Sequence, residues 1–192
     1  MSITILNLEP ILKLTQAQFH ALCAANPDAQ LELSAQGELN IMSPTGGETS
    51  TWNSELNADL VLWNRQTKLG KTFDSSGGFS LPNGAERSPD LAWIPLAKWE
   101  ALTSEERKGF LPLCPDFALE LMSPSDSWPQ GQKKMVEYRE NGCRLGWLID
   151  PRSRRVAIYQ PDQAVEILKT PAVLSGEDVL PGFVLNLQAL WT

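Results

Sequence analysis

Two short apolar stretches of the chain each carry one carboxylate. They are Ser88-Pro89-Asp90-Leu91-Ala92-Trp93 and Phe117-Ala118-Leu119-Glu120-Leu121-Met122. An acid among apolar strand residues costs free energy unless it is paired or bound to a metal. Asp90 and Glu120, on adjacent strands, are therefore candidates to hold one hard divalent cation. Mg2+ prefers carboxylate and water oxygens and keeps several waters. Once bound, such an ion activates water and offsets charge on a phosphoryl oxygen. On spacing alone, alternating strands with both acids facing solvent account for the pattern equally well.

A polar, helix-prone segment follows the second stretch and contains Lys134 and Tyr138, four residues apart and so on one helix face. A lysine beside paired carboxylates would orient a nucleophilic water and stabilise a pentavalent phosphate. A solvated surface lysine is the commoner fate of any single lysine. Gln132 is a candidate to bind a metal-ligated water or a phosphate. Ser123, Ser125 and Asp126 are expected to cap this helix.

The elements that must position these groups are legible in outline. Thr15-x-x-Gln18 fits a capping box with Leu14 and Phe19 as its hydrophobic staple, so a helix should run to about Ala25. Residues 30–34 and 38–42 alternate around Gln36-Gly37 and predict a β-hairpin. Trp52, Leu56, Leu60 and Trp63 form an apolar stripe on a helix over 48–68, with Gly70 as its stop. Residues 71–81 are expected as one strand, 96–112 as a helical insertion, and 126–141 as the helix of Lys134. Leu145 to Ile149 has the continuous apolar character of a central strand. A second hairpin is expected over 155–159 and 164–168, and a final segment over 183–191. The order of elements predicts a mixed α/β or α+β fold in one domain spanning 1–192.

Bulk properties narrow the function. The net charge of −7 argues against sequence-blind gripping of phosphates by the whole surface, which takes a basic face. The three cysteines, Cys23, Cys114 and Cys143, are odd in number and widely spaced, so neither disulfides nor a zinc ribbon is expected, and a cytoplasmic, reducing setting is. No signal peptide is apparent, and no apolar run is long enough to span a membrane. With His20 as the one histidine, multi-histidine zinc sites are excluded. No nucleophile elbow or dinucleotide fingerprint is present, and the Gly46-Gly47 segment lacks the lysine of a phosphate loop.

Four segments together resemble a known family. They are Phe73 to Pro82, Arg87-Ser88-Pro89-Asp90, Glu120 to Asp126, and Gly146-Trp147-Leu148-Ile149-Asp150-Pro151, with the Lys134-x-x-x-Tyr138 spacing before Asn141-Gly142. Over about residues 10–190 the chain is similar to the cyanobacterial type of Uma2 endonucleases, within the PD-(D/E)XK nuclease superfamily.

The resemblance implies a restriction-endonuclease-like core, a central mixed sheet of about four strands flanked by helices. It implies a Mg2+-dependent cut of DNA, with Mn2+ as a substitute metal. Asp90, Glu120 and the backbone carbonyl of Leu121 would hold the metal, and Lys134 would be the catalytic amine. The simplest superfamily pattern puts that lysine two residues after the glutamate, where this chain has Met122. The amine therefore has to come from the next helix. Lys133 would point about 100° away from it around the helix. Glu48 or Glu55 would add an acid from the first core helix. Glu48 also suits a helix N-terminus for its dipole, and Glu32 is expected to form a structural salt bridge. Cutting both strands favours a homodimer. The alternative is a nuclease-fold module that binds nucleic acid or a protein partner without cutting.

Overall fold

The computed structural model describes residues 3–8 and 12–191. The elements are, in order, β1 (Ile3–Leu6), α1 (Gln16–Ala25), β2 (Gln30–Leu33), β3 (Leu39–Met42), α2 (Gly47–Thr67), β4 (Gly70–Asp74), β5 (Phe79–Ser80) and β6 (Glu86–Arg87). They continue with β7 (Leu91–Pro95), α3 (Leu96–Ala101), β8 (Phe117–Leu121), α4 (Trp128–Glu140), β9 (Leu145–Asp150), β10 (Arg155–Tyr159), β11 (Glu166–Lys169), β12 (Val173–Ser175) and β13 (Val184–Asn186).

The central sheet has the order β11-β10-β9-β8-β7-β4, six strands rather than about four. Its one parallel pair is β8 with β9, and α4 is the crossover between them. Side chains alternate across this sheet. Leu91, Trp93, Phe117, Leu119, Leu121 and Trp147 face one way, onto the Leu56-Leu60-Trp63 stripe of α2 and the C-terminal segment. Ala92, Ala118 and Leu148 face the other way, onto Met135 and Tyr138 of α4. A second sheet, β1-β3-β2-β6-β5, carries the N-terminal hairpin. It is buttressed by α1, whose capping box and buried Phe19 are present as expected.

Three expectations needed revision. Residues 71–81 are not one strand. Asp74 accepts hydrogen bonds from Ser76 and Gly77, and this turn sends Phe79–Ser80 into the second sheet. The insertion over 96–112 is mostly irregular: α3 is followed only by a 3-10 turn at Glu106–Lys108, where Thr103 binds Glu106 locally. Gly70 does not stop α2. Lys68 does so in the left-handed conformation at φ 56°, and Gly70 begins β4, where a Cβ would lie 2.0 Å from the Ile94 carbonyl oxygen. Asn64 fixes this corner, exchanging hydrogen bonds with the Gly70 backbone while accepting one from the Trp93 indole.

No helix of the described residues is long and apolar enough to cross a membrane. Cys23, Cys114 and Cys143 are all unpaired thiols.

Candidate active site

The β7–β8 ladder ends at Leu91 with Leu119, and Asp90, in the bend just before β7, therefore lies beside Glu120 and Leu121. Asp90 is 6% exposed. Its Oδ2 accepts the Leu121 N–H at 2.8 Å, and its Oδ1 accepts from the Asn53 amide of α2 at 3.3 Å. The Met122 N–H, one residue on, points the other way to Ile149 of β9. Since N–H and C=O of one residue face the same neighbour in a regular ladder, the Leu121 carbonyl is turned toward the Asp90 side.

Glu120 and Ala118 share the α4 face of β8, because strand side chains alternate. There the Glu120 Oε1 accepts from the Tyr138 hydroxyl at 3.0 Å and meets Lys134 Nζ at 2.9 Å. The spacing of Lys134 and Tyr138, one helical turn, is what lets both reach the same oxygen. Lys134 Nζ is also 2.9 Å from Glu32 Oε1, and Glu32 is contributed by β2 of the other sheet. The second Glu32 oxygen pairs with Arg87 at 3.2 Å, and Arg87 in turn pairs with Glu137 of α4 at 2.6 Å.

Burial pushes the Glu120 carboxyl up to about 8; Lys134 opposes this, and Asp90 and Glu32 add to it. Burial likewise raises Asp90, against the stabilising Leu121 N–H. Burial also disfavours charge on Glu32, but Lys134, Arg87 and the Ser88 N–H outweigh it and hold Glu32 below its ordinary value. The Lys134 ammonium is held above the ordinary lysine value, because Glu120 and Glu32 outweigh its desolvation. It is a fixed cation and donor rather than a base.

These groups open onto a cavity of about 830 Å³, lined by Asp90, Glu120, Leu121 and Lys134 and walled by β2, β3 and α4. The donors present suit a hard cation: two neighbouring carboxylates and a carbonyl, all oxygen, with room for water. Burial does most to raise Glu120, and Asp90 adds to it, so a cation held between the two carboxylates would favour their charged forms. No group of three or more His, Cys, Asp or Glu is assembled for a metal among the described residues. Water or substrate oxygens would therefore complete the shell, as is usual for Mg2+.

The remaining candidates are placed differently. Glu48 and Glu55 are exposed on α2, and neither borders the cavity. The contribution of α2 is instead Asn53, which nothing but its place on the helix marks in the sequence. Gln132 lines the cavity and also lies against the Tyr159 hydroxyl. Asp126 binds the Ser123 N–H and so closes the turn before α4; the helix N-cap is Ser127, without a side-chain cap bond.

The comparisons with known proteins agree with this architecture. The family described as "Uma2: Putative restriction endonuclease" matches residues 16–188. Among curated proteins none matches by sequence. A crystal structure titled "a putative nuclease belonging to DUF820", from Anabaena variabilis, superposes with a TM-score of 0.73 at 19% identity, covering 85% of this chain and 90% of the other. At that identity the likeness concerns the fold.

Proposed function

Because the chain belongs to the Uma2 family, described as "putative restriction endonuclease", we propose that it is a metal-dependent endonuclease that hydrolyses DNA phosphodiester bonds. The observation that carries this reading is Lys134 Nζ at 2.9 Å from a Glu120 that lies beside Asp90 at the cavity floor. Asp90, Glu120 and the Leu121 carbonyl would hold Mg2+ or Mn2+. When bound, that ion supplies Lewis acidity and an activated water.

The chain's own residues do the rest. Asn53 and the Leu121 N–H fix the Asp90 carboxylate, and Tyr138 fixes that of Glu120. Lys134 has three N–H donors, of which Glu32 and Glu120 take two. The third is left for the attacking water or a phosphoryl oxygen, where a fixed positive charge stabilises the transition state. Met122, buried in the core beside α4, takes no part in that chemistry. A cut through both strands of a duplex favours a two-fold homodimer.

A second reading, a nuclease-fold module that binds a partner without cutting, draws on the cavity's charge. Seven carboxylates line it against three cations, which disfavours close approach of phosphates when no metal is bound. Plasmid cleavage with Mg2+ and Mn2+ separates the two. Metal-dependent cutting that is lost in Asp90→Ala and in Lys134→Ala is the expected result. No cutting by the folded wild-type protein with either metal favours the binding module.

A further inference from the structure

The second sheet contributes one side chain to the heart of the site. Glu32 is 2% exposed, and each of its oxygens is engaged. Oε1 takes Lys134 Nζ at 2.9 Å and the Ser88 N–H at 2.9 Å, while Oε2 takes Arg87 at 3.2 Å. Its backbone is held between β3, where Glu32 pairs with Asn40, and β6, where Leu33 pairs with Glu86. The contacts close a ring. Glu32 binds Arg87, Arg87 binds Glu137 of α4, and Lys134 of the same α4 returns to Glu32. Glu32 thus ties together the Arg87-Ser88 segment that leads to Asp90 and the helix that delivers the amine.

A structural salt bridge would be satisfied by Arg87 alone. The contact with Lys134 goes further, because it is made to Nζ itself. A lysine side chain is long and flexible, with several rotatable bonds. Glu120 by itself offers one anchor, from one side. Glu32, on a different sheet, supplies the opposing anchor that fixes where the free N–H of Lys134 lies.

We propose that Glu32 is a positioning residue for Lys134, so that the N-terminal hairpin is part of the active centre rather than an accessory to it. The effect on cleavage rests on the nuclease reading above; the contact does not. Lysine acylation by acetic anhydride, read by mass spectrometry, tests the contact in metal-free protein. Lys133, exposed and adjacent on α4, serves as the internal reference.

Lys134 should be modified far more slowly than Lys133. In Glu32→Gln its rate should rise about tenfold, the loss expected for one charge-assisted hydrogen bond, with Lys133 and Lys98 unchanged. Glu32→Asp, which keeps the charge on a shorter arm, should show a smaller rise and is the variant to read if Glu32→Gln does not fold. In cleavage, Glu32→Gln should lower kcat about tenfold or more with little change in KM, and should add nothing in a Lys134→Met background. An unchanged Lys134 rate in the folded variants, or effects of Glu32→Gln and Lys134→Met that multiply, would overturn the proposal. If the wild-type protein cuts nothing, the nuclease reading fails, and acylation alone decides whether Glu32 holds the lysine.

Discussion

Asp116, buried just before β8, and Glu120, half-buried near the other end of that strand, are managed in opposite ways. Asp116 pairs with Lys98 at 2.7 Å and Arg144 at 4.0 Å, and Arg144 continues to Asp178 at 3.2 Å. Two acids meet two cations, and both cations are nearly half exposed. Asp116 borders no part of the cavity. At the other end, among the described residues, four acids (Glu32, Asp90, Glu120 and Glu137) meet two paired cations, Arg87 and Lys134, so the carboxyl groups outnumber the paired cations by two. A carboxylate in or beside an apolar strand therefore does not mark a site by itself. An excess of carboxyl groups beside open space, one of them strongly raised, does, because a structural pair has no reason to leave it.

The largest expected effect separates function from stability at these two ends. Glu120→Gln should reduce metal-dependent plasmid cleavage by a factor of about 10² to 10³, the range for losing one preorganised electrostatic contact. Asp116→Ala should leave cleavage by the folded protein within a few-fold. It should instead lower unfolding stability by about 1–2 kcal/mol, below the value for a fully buried pair because its partners reach solvent. Chemical denaturation beside the cleavage assay measures both. Loss of cleavage in Asp116→Ala at full folding would erase the contrast.

A smaller effect follows from the raised Glu120. Its folded carboxyl titrates near 8 against an ordinary 4.5, so the folded chain binds that proton more tightly than the unfolded one. Its contribution to stability is full below about 4.5 and is lost as pH rises toward 8. Thermal melts of the metal-free protein should therefore decline across that window relative to Glu120→Gln. Mn2+ should raise the melting temperature more at the upper end, where the cation no longer competes with a proton. Parallel melting curves for the two proteins at every pH would remove the electrostatic half of the comparison.

The smallest effect concerns the cavity rim. Arg87 and Lys134 are committed to internal carboxylates, while Lys133 is exposed at the rim. Lys133→Ala should weaken DNA binding a few-fold and reduce the salt slope of log K by about 1. Fluorescence anisotropy at several salt concentrations reads this directly. An unchanged slope would mean that phosphates approach elsewhere.

Local pattern was enough for most elements. The capping box of α1, the Leu56-Leu60-Trp63 stripe of α2 and the apolar run of β9 are short-range signals, and the structure has each of them. The strand expected over 71–81 divides at the Asp74 turn, and what the local pattern does not show is that Phe79–Ser80 pairs with β6 of a different sheet. The role of Gly70 was hidden for a related reason. What demands a glycine is the Ile94 carbonyl, twenty-four positions away in the chain.

The sequence by itself determined that two acids lie in or beside apolar strands and that a lysine and a tyrosine share a helix face, since alternation and helical repeat are local geometry. It gave Glu32 the same mark, an acid in an alternating strand, but not its partner. Only the tertiary structure decided that Asp90 lies beside Glu120, that Asn53 rather than Glu48 or Glu55 reaches in from α2, and that Lys134 lies between acids of two sheets. Those outcomes depend on strand register and on how two sheets meet, which are set by burial summed over the whole core and are written in no single segment.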